Sequence, residues 1–203
     1  MRASTRRAAI AGPAGNIECA VDEPTGEARR GIALVAHPHP LYGGTLDNKV
    51  VQTLARAFAE LGYAAWRPNF RGVGASEGIH DEGRGETDDL AAVLAHLKAV
   101  RPVLAGFSFG AAVQTRLAQR LAKQGNAPER MVLVGLAVRL LEAVPVPADT
   151  ILIHGEEDTT VPLADVLAWA KPQDLPVVVV PGADHFFHRR LAVLRAIVQN
   201  SWK

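Results

Sequence analysis

A serine flanked by glycines is the feature of this sequence best suited to chemistry, and it lies in the segment Gly106-Phe107-Ser108-Phe109-Gly110. The segment follows an apolar run and opens an alanine-rich stretch, which is the context in which a strand turns sharply into a helix. Glycines two positions before and after the serine let neighbouring backbone approach without Cβ clashes, so the turn can hold Ser108 in a strained conformation. We interpret Ser108 as a nucleophile, and a tight structural turn is the alternative interpretation.

A serine hydroxyl becomes a good nucleophile only when a base accepts its proton, and that base needs an acid to orient it. Two later loops supply these groups. Asp158 follows an apolar run at residues 150–155, and His185 follows another at residues 176–182. The predicted catalytic residues are therefore Ser108, Asp158 and His185, in that chain order.

Neighbouring side chains are alternatives for the same roles. Glu156 and Glu157 compete with the aspartate, and His188, predicted about one turn into the last helix, competes with the histidine. Asp184 directly precedes that histidine and therefore points away from its ring, so we expect it to have a loop or capping role. Structural or surface roles are expected for the remaining histidines, which are His80, His96 and His154.

Cleavage of an acyl bond also needs an oxyanion hole, in which backbone N–H groups bind the negative charge that develops on the carbonyl oxygen. Phe109 follows the nucleophile and is expected to supply one of these groups. The other is expected from the "HPHP" segment that follows the apolar run at residues 31–37. Because proline has no N–H, the choice narrows to His39 or Leu41, and we favour His39.

The two histidines of this segment, His37 and His39, could instead bind a metal ion. No third histidine or carboxylate at ligand spacing accompanies them, and the intervening proline disfavours regular presentation from a strand. We therefore expect neither a metal nor another cofactor.

Strands that alternate with helices must position these residues. Two N-terminal runs, Arg7–Ala11 and Asn16–Asp22, predict a hairpin joined at "GPAG". Further apolar runs predict buried strands at residues 31–37, 64–70, 102–107, 131–138, 150–155 and 176–182. Amphipathic stretches predict helices at residues 45–61, 86–99, 109–123, 162–171 and 185–199, with Thr45 as an N-cap and Pro162 at a first helical position.

This alternation predicts an α/β fold with a mostly parallel, twisted sheet, helices on both of its faces and an antiparallel hairpin at its N-terminal edge. In such a sheet the functional loops lie at the carboxyl ends of the strands. The predicted nucleophile, acid and base all follow strands in this way.

The composition limits the remaining possibilities. A chain of 203 residues suits a single domain over residues 1–203, and a net charge of +1 without a long basic run predicts neither nucleic acid nor membrane as a partner. Cys19 is the only cysteine, so an intrachain disulfide is impossible and we expect a cytoplasmic protein. The start "MRASTRRAAIAGPAG" has the bias of a targeting peptide, but its short apolar run is interrupted by glycine and proline, and we interpret it as the lead-in to the first strand.

On these features the chain resembles the α/β-hydrolase superfamily and, within it, the small bacterial serine hydrolases without a cap that are related to dienelactone hydrolase. Five ordered motifs carry the resemblance: "GIALVAHPHPLYGGTLDNKVV", "NFRGVGASEG", "GFSFG", "HGEEDTTVP" and "GADHFF". The likeness assigns "HPH" to the family's oxyanion segment, and Arg71 and Gly74 to a turn that braces the loops. Dienelactone hydrolase has a cysteine where this chain has Ser108, so its lactone chemistry is not carried over.

Many members of the superfamily insert a helical cap after the sixth strand, whereas here only "RLLEAVPVPADT" links the predicted strands 131–138 and 150–155. The resemblance therefore implies an open site without a cap domain. Its expected walls are apolar side chains, for which core packing is the alternative: Leu41, Tyr42, Phe107, Phe109, Phe186 and Phe187.

The hypothesis that follows is a serine hydrolase that cleaves small-molecule esters or thioesters of short to medium acyl chains through an acyl-Ser108 intermediate. A peptidase for small peptides is one alternative, since the same residues can cleave amides. A non-catalytic binding protein of this fold is another, although such proteins typically lack one of the three catalytic residues.

Overall fold

The structure, a computed structural model, describes residues 4–24, 26 and 29–202. In these residues eight strands form a sheet: β1 Thr5–Gly12, β2 Gly15–Asp22, β3 Gly31–Ala36, β4 Tyr63–Pro68, β5 Val103–Phe107, β6 Arg130–Val134, β7 Ile151–Gly155 and β8 Val177–Val180. The helices are α1 Lys49–Glu60, α2 Arg84–His96, α3 Phe109–Lys123, α4 Leu163–Ala170 and α5 Leu191–Asn200.

The sheet has the strand order β1-β2-β4-β3-β5-β6-β7-β8. β1 pairs with β2 in antiparallel register from Thr5 opposite Asp22 to Gly12 opposite Gly15, and β2 is antiparallel to β4. All other neighbouring pairs are parallel. The predicted α/β fold, with an antiparallel hairpin before a mostly parallel sheet, is confirmed.

Two apolar layers cover the two faces of the sheet. Side chains from α1 and α5, such as Phe58 and Leu194, pack on one face, and side chains from α2, α3 and α4, such as Leu90 and Val113, pack on the other. Alternate residues of the central strands enter opposite layers because the side-chain period of a strand is two. This coverage on both sides accounts for the predicted burial of strands β3 to β7. The prediction of a buried strand at residues 176–182 was wrong in part, because β8 lies at the edge of the sheet and Val178 and Val179 are each 37% exposed.

Two predicted helix starts were wrong. Asn48, not Thr45, caps α1, because the Asn48 side-chain oxygen accepts hydrogen bonds from Val50 N and Val51 N at 2.9 and 3.4 Å. Pro162 occupies the capping position of α4 rather than its first helical position, since the helix begins at Leu163.

The last helix also begins later than predicted, at Leu191 instead of residue 185. Phe187 and Arg189 have φ angles of 54° and 59°, a left-handed conformation that an α-helix cannot contain. His188 therefore lies in a turn before α5, where the sequence predicted it within the helix.

The chain between β6 and β7, residues 135–150, contains no helix in the structure. The expected absence of a cap insertion at this position agrees with that short connection. None of the helices in the described part of the chain has both the length and the apolarity that crossing a membrane requires.

Candidate active site

The turn between β5 and α3 holds Ser108 in a strained backbone conformation, with φ 55° and ψ −118°. Its N–H donates to the Val134 carbonyl oxygen at 2.9 Å, which ties the turn to the neighbouring strand β6. A Cβ on Gly106 would lie 2.6 Å from the Gly110 carbonyl oxygen, and a Cβ on Gly110 would collide with the His37 carbonyl oxygen. Both flanking glycines are therefore required by close backbone contacts.

Three side chains from three separate loops form a hydrogen-bonded series at the carboxyl edge of the sheet. His185 Nε2 lies 3.1 Å from Ser108 Oγ, and His185 Nδ1 lies 2.6 Å from Asp158 Oδ2. Ser108, Asp158 and His185 are exposed by only 7%, 6% and 4%. The structure thus brings together the three residues that the sequence singled out.

The Asp158 carboxylate is held by its own loop. Its Oδ1 accepts hydrogen bonds from Thr160 N at 2.9 Å and from Val161 N at 2.7 Å, which leaves Oδ2 facing His185. The rival acid Glu156 instead accepts from Gly182 N at 3.0 Å at the surface. Hydrogen bonds within a short turn therefore select which carboxylate meets the imidazole.

The alternative base, His188, lies away from this series. Its ring is exposed and pairs with Asp184, with His188 Nδ1 and Asp184 Oδ2 separated by 2.6 Å. Asp184 Oδ1 also accepts from His188 N at 3.0 Å, so this carboxylate closes the turn before α5.

Two backbone N–H groups near Ser108 have no acceptor among the described residues, those of His39 and Phe109. The competing amide, Leu41 N–H, donates to His39 Nδ1 at 3.2 Å. Of the two candidates in the "HPHP" segment, His39 is therefore the residue whose N–H remains available. The His39 ring is half-buried and contacts the rings of Tyr42 and Phe109, each at a centroid distance of 4.7 Å.

His37 has no ring nitrogen left for a metal ion. Its Nε2 accepts from Phe70 N at 2.9 Å, and its Nδ1–H donates to the Pro38 carbonyl oxygen at 2.7 Å. Burial lowers the pKa of the His37 imidazole to about 4, so the ring is neutral. The part of the chain that the structure describes has no group of three histidine, cysteine or acidic side chains arranged to hold a metal.

Comparisons with known proteins identify the fold that carries this site. The family model described as "alpha/beta hydrolase fold" matches residues 41–137. A Xanthomonas campestris protein, described as an α/β serine hydrolase without a lid, is 36% identical with a TM-score of 0.87, covering 98% of this chain and 93% of that one. A serine hydrolase homologue from Coxiella burnetii is 37% identical with a TM-score of 0.83, covering 98% of this chain and 97% of that one.

The chain belongs to the α/β-hydrolase superfamily. An uncharacterized protein of Rickettsia prowazekii is 33% identical over 192 residues, which cover 87% of this chain and 79% of that protein. The Xanthomonas and Coxiella similarities identify the chain, more narrowly, as a serine hydrolase of this superfamily.

In this α/β hydrolase a cavity of about 370 Å³ opens in front of Ser108. It is lined by His39, Tyr42, Ser108, Ala137, Val138, Arg139, Leu140, Thr160, Val161, Pro162 and Asp165. A second groove, of about 780 Å³, adjoins it and shares His39, Tyr42 and Leu140 with it. The site is therefore an open cleft with a mainly apolar part next to the serine and a more charged part beyond it.

Only some of the aromatic and apolar side chains expected at the pocket lie on these walls. Tyr42 lines both cavities, whereas Leu41 and Phe109 line the groove. Phe107 and Phe187 are fully buried in the core on the α1 and α5 side of the sheet. Phe186 is 45% exposed with its ring 5.2 Å from that of His185, but it is not among the residues lining the cavity at Ser108.

Sequence reasoning missed most of the walls of the cavity in this α/β hydrolase. Val138, Arg139 and Leu140 come from the connection after β6, and Thr160 and Val161 come from the turn that contains the acid. Their position in the sequence could have predicted them, because loops that follow the carboxyl ends of parallel strands converge at one edge of the sheet.

Proposed function

We propose that this serine hydrolase cleaves carboxylic esters or thioesters of short to medium acyl chains through an acyl-Ser108 intermediate. The observation that carries the proposal is the series Ser108–His185–Asp158, whose serine lines a mainly apolar cavity. A hydroxyl, an imidazole and a carboxylate in this sequence of hydrogen bonds make up the arrangement that activates a serine for acyl transfer.

In the first half-reaction, Ser108 Oγ attacks the substrate carbonyl carbon while His185 Nε2 accepts the hydroxyl proton. The carbonyl oxygen becomes negatively charged and accepts hydrogen bonds from Phe109 N–H and His39 N–H. Asp158 holds the imidazole in orientation and stabilises its positive charge. His185 then donates the proton to the leaving alcohol or thiol, and the acyl group remains on Ser108.

In the second half-reaction a water molecule replaces the leaving group. His185 Nε2 accepts a proton from the water as its oxygen attacks the acyl carbon, and the same two N–H groups bind the oxyanion again. When the tetrahedral intermediate collapses, the proton passes from His185 to Ser108 Oγ and the carboxylic acid leaves.

The composition of the cleft supports an acyl chain in the cavity beside Ser108. Ala137, Val138 and Val161 give it apolar walls, and its volume of about 370 Å³ lies in the range of small-molecule sites. The adjoining groove carries charged side chains, including Arg84 and Arg116, and suits a polar leaving group. Replacing Val138 by Phe should therefore shift preference from hexanoate to acetate esters of one alcohol, and an unchanged chain-length profile would contradict this placement.

The decisive experiment compares the wild-type protein with Ser108→Ala, and with Ser4→Ala as a matched control at an exposed serine. A fluorophosphonate should label the wild type and the control but not Ser108→Ala. Turnover of p-nitrophenyl butyrate should follow the same pattern. Turnover by Ser108→Ala at the wild-type rate would disprove the proposal.

The pH dependence gives a second test of the proposed base. A histidine base accepts a proton only in its neutral form, so a rate that depends on one should rise with pH across the range in which histidines ordinarily lose their proton. A rate that is flat from about pH 5 to about pH 8 would exclude a histidine base. A panel of esters and thioesters with matched acyl groups then measures which leaving group is preferred.

Peptide hydrolysis and non-catalytic binding are the competing functions. Both are tested by the same panel when short peptide p-nitroanilides are added to it. Cleavage of the anilides alone would identify a peptidase, and an absence of Ser108-dependent turnover with every substrate would favour a binding protein.

We also propose a cytoplasmic location. The single cysteine, Cys19, is fully buried, and burial raises the pKa of its thiol to about 12. It forms no disulfide within the chain and is a poor alternative nucleophile. Cell fractionation tests the location, and recovery in an extracellular or periplasmic fraction would contradict it.

A further inference from the structure

A second histidine lies beside the proposed acid but takes no part in the reaction described above. His154 is the fourth residue of β7 and is fully buried. Its Nε2 lies 2.9 Å from the Val161 carbonyl oxygen and 3.4 Å from Asp158 Oδ2. Its Nδ1 is buried without a hydrogen-bond partner among the described residues.

These contacts fix the proton on His154. A carbonyl oxygen can only accept a hydrogen bond, so Nε2 must carry the hydrogen that bonds to Val161. Burial lowers the pKa of the His154 imidazole, and the neutral ring then leaves an unprotonated Nδ1. His154 is therefore a neutral donor whose N–H faces the turn that contains Asp158.

That turn is held from two directions. Within it, Asp158 Oδ1 accepts from the N–H groups of Thr160 and Val161. From below, His154 Nε2–H holds the Val161 carbonyl oxygen and also approaches Asp158 Oδ2, the same oxygen that bonds to His185. Without the His154 donor, the Val161 carbonyl oxygen would lose its hydrogen bond and Val161 could move. The Val161 N–H, which holds Asp158 Oδ1, would then move with it.

Packing alone does not account for an imidazole at this position. A buried nitrogen without a partner destabilises the folded state, and an apolar side chain of similar size would avoid that cost. What the imidazole adds is the Nε2–H, which donates to the Val161 carbonyl oxygen and lies 3.4 Å from Asp158 Oδ2. Both of these oxygens belong to the turn that presents the acid to His185.

We propose that His154 is a positioning residue for the acid, whose Nε2–H holds the Asp158–Val161 turn so that Asp158 Oδ2 faces His185. The inference rests on the proposed function, because it assumes that Asp158 orients the base. His154 does not touch the reacting atoms, so its effect is on kcat and on the His185–Asp158 hydrogen bond, not on substrate binding.

The test compares His154→Leu with His154→Gln, whose side-chain N–H can take the place of Nε2–H. His154→Leu should lower kcat for p-nitrophenyl butyrate about 10- to 100-fold with little change in KM. The pH of half-maximal rate should also fall, because a displaced carboxylate supports the imidazolium less well. His154→Gln should retain most of kcat and the wild-type pH profile.

Proton NMR gives a readout that does not depend on turnover. The strongly deshielded proton between His185 Nδ1 and Asp158 Oδ2 should be present in the wild type and in His154→Gln, and shifted or lost in His154→Leu. Urea unfolding of every variant establishes that it is folded, and His154→Met replaces His154→Leu if the leucine variant does not fold.

Wild-type kcat, pH profile and NMR signal in the apolar variant would overturn the inference, as would an equal loss in His154→Gln. Failure of the proposed function is a separate result, in which the wild type shows no Ser108-dependent turnover of any ester or thioester. The NMR comparison still decides in that case, since an unchanged signal in His154→Leu overturns the positioning role.

Discussion

Two histidines with similar positions in the fold, His185 and His37, differ in whether they can exchange a proton with their hydrogen-bond partners. Each follows a parallel strand, each is buried, and both ring nitrogens of each have hydrogen-bond partners. The partners of His185 are a hydroxyl and a carboxylate, whereas those of His37 are a backbone N–H and a backbone carbonyl. A histidine can exchange protons in place only when its partners can change their charge or give up a proton, and backbone groups do neither.

The comparison explains why the "HPHP" segment is important through its backbone. His37 fixes the segment to the start of the next loop through Phe70 N–H, and the neutral form of the ring is the one that can accept this bond. His39 of this segment lines the same cavity as Ser108, and in the proposed reaction it supplies its backbone N–H. One histidine therefore supports the backbone that the proposed reaction uses, and another carries the proton.

The largest expected effect is that of His185→Ala. Loss of the proposed base should lower kcat for p-nitrophenyl butyrate by about 10⁴- to 10⁶-fold. Steady-state kinetics measure this, and the free energy of unfolding in urea should change far less than in a His37 variant. A residual rate within tenfold of the wild type would show that another group accepts the proton.

The next largest effect tests whether His39 contributes to the rate through its backbone N–H, in contrast to its side chain. His39→Pro removes the N–H at a residue whose φ of −55° proline can adopt, and it should lower kcat about 10²- to 10³-fold. Kinetics with the same ester measure the loss. A rate close to wild type would mean that another donor completes the oxyanion hole.

A stability effect should follow from His37→Leu. This variant leaves Phe70 N–H without its acceptor in a buried position, and the free energy of unfolding should fall by about 2–4 kcal/mol. Urea unfolding measures the change, and kcat per folded molecule should remain within tenfold of wild type. A His37→Leu variant that keeps its stability but loses all activity would contradict the structural role given to His37 and indicate a role in the reaction.

The free energy of unfolding should depend on pH through the His37 imidazole. The pKa of His37 is about 4 in the folded state and 6.5 in the unfolded state, so the unfolded chain binds the proton first as pH falls. The contribution is fully present above about pH 6.5 and is lost progressively toward about pH 4, with roughly 2 kcal/mol gone at about pH 5. His154, whose pKa burial also lowers, acts in the same direction.

Urea unfolding at about pH 7 and about pH 5 measures this loss. His37→Leu should show a shallower dependence than wild type, since it lacks the contribution of the His37 imidazole. An equal loss of unfolding free energy in both proteins would show that His37 does not cause the loss of stability at acidic pH.

The smallest effect is expected from His39→Ala. It removes ring contacts with Tyr42 and Phe109 but keeps the N–H, so kcat/KM should change by less than about tenfold. Kinetics beside His39→Pro provide the measurement. A loss as large as that of His185→Ala would mean that the His39 imidazole itself takes part in the reaction.

The α/β fold could be predicted because its signals are local in the sequence. Apolar runs, amphipathic stretches and the glycines around Ser108 each depend on a few neighbouring residues. The start of α5 could not be predicted, since Phe187 and Arg189 lie with positive φ angles in a turn that is closed by the hydrogen bond from His188 N–H to Asp184 Oδ1. Thr45 and Asn48 are both residue types that cap helices well, so the sequence alone does not decide which of them begins α1.

By itself, the sequence determined the order of the elements and the positions of Ser108, Asp158 and His185 after their strands. Only the tertiary structure decided which imidazole meets Ser108, which carboxylate meets that imidazole, and that His37 is neutral and bound to backbone. It also decided that Phe107 and Phe187 lie in the core while Val138 and Val161 line the cavity. The physical reason is that strand and turn signals come from adjacent residues, whereas hydrogen-bond partners and pocket walls come from loops that meet only when the sheet is assembled.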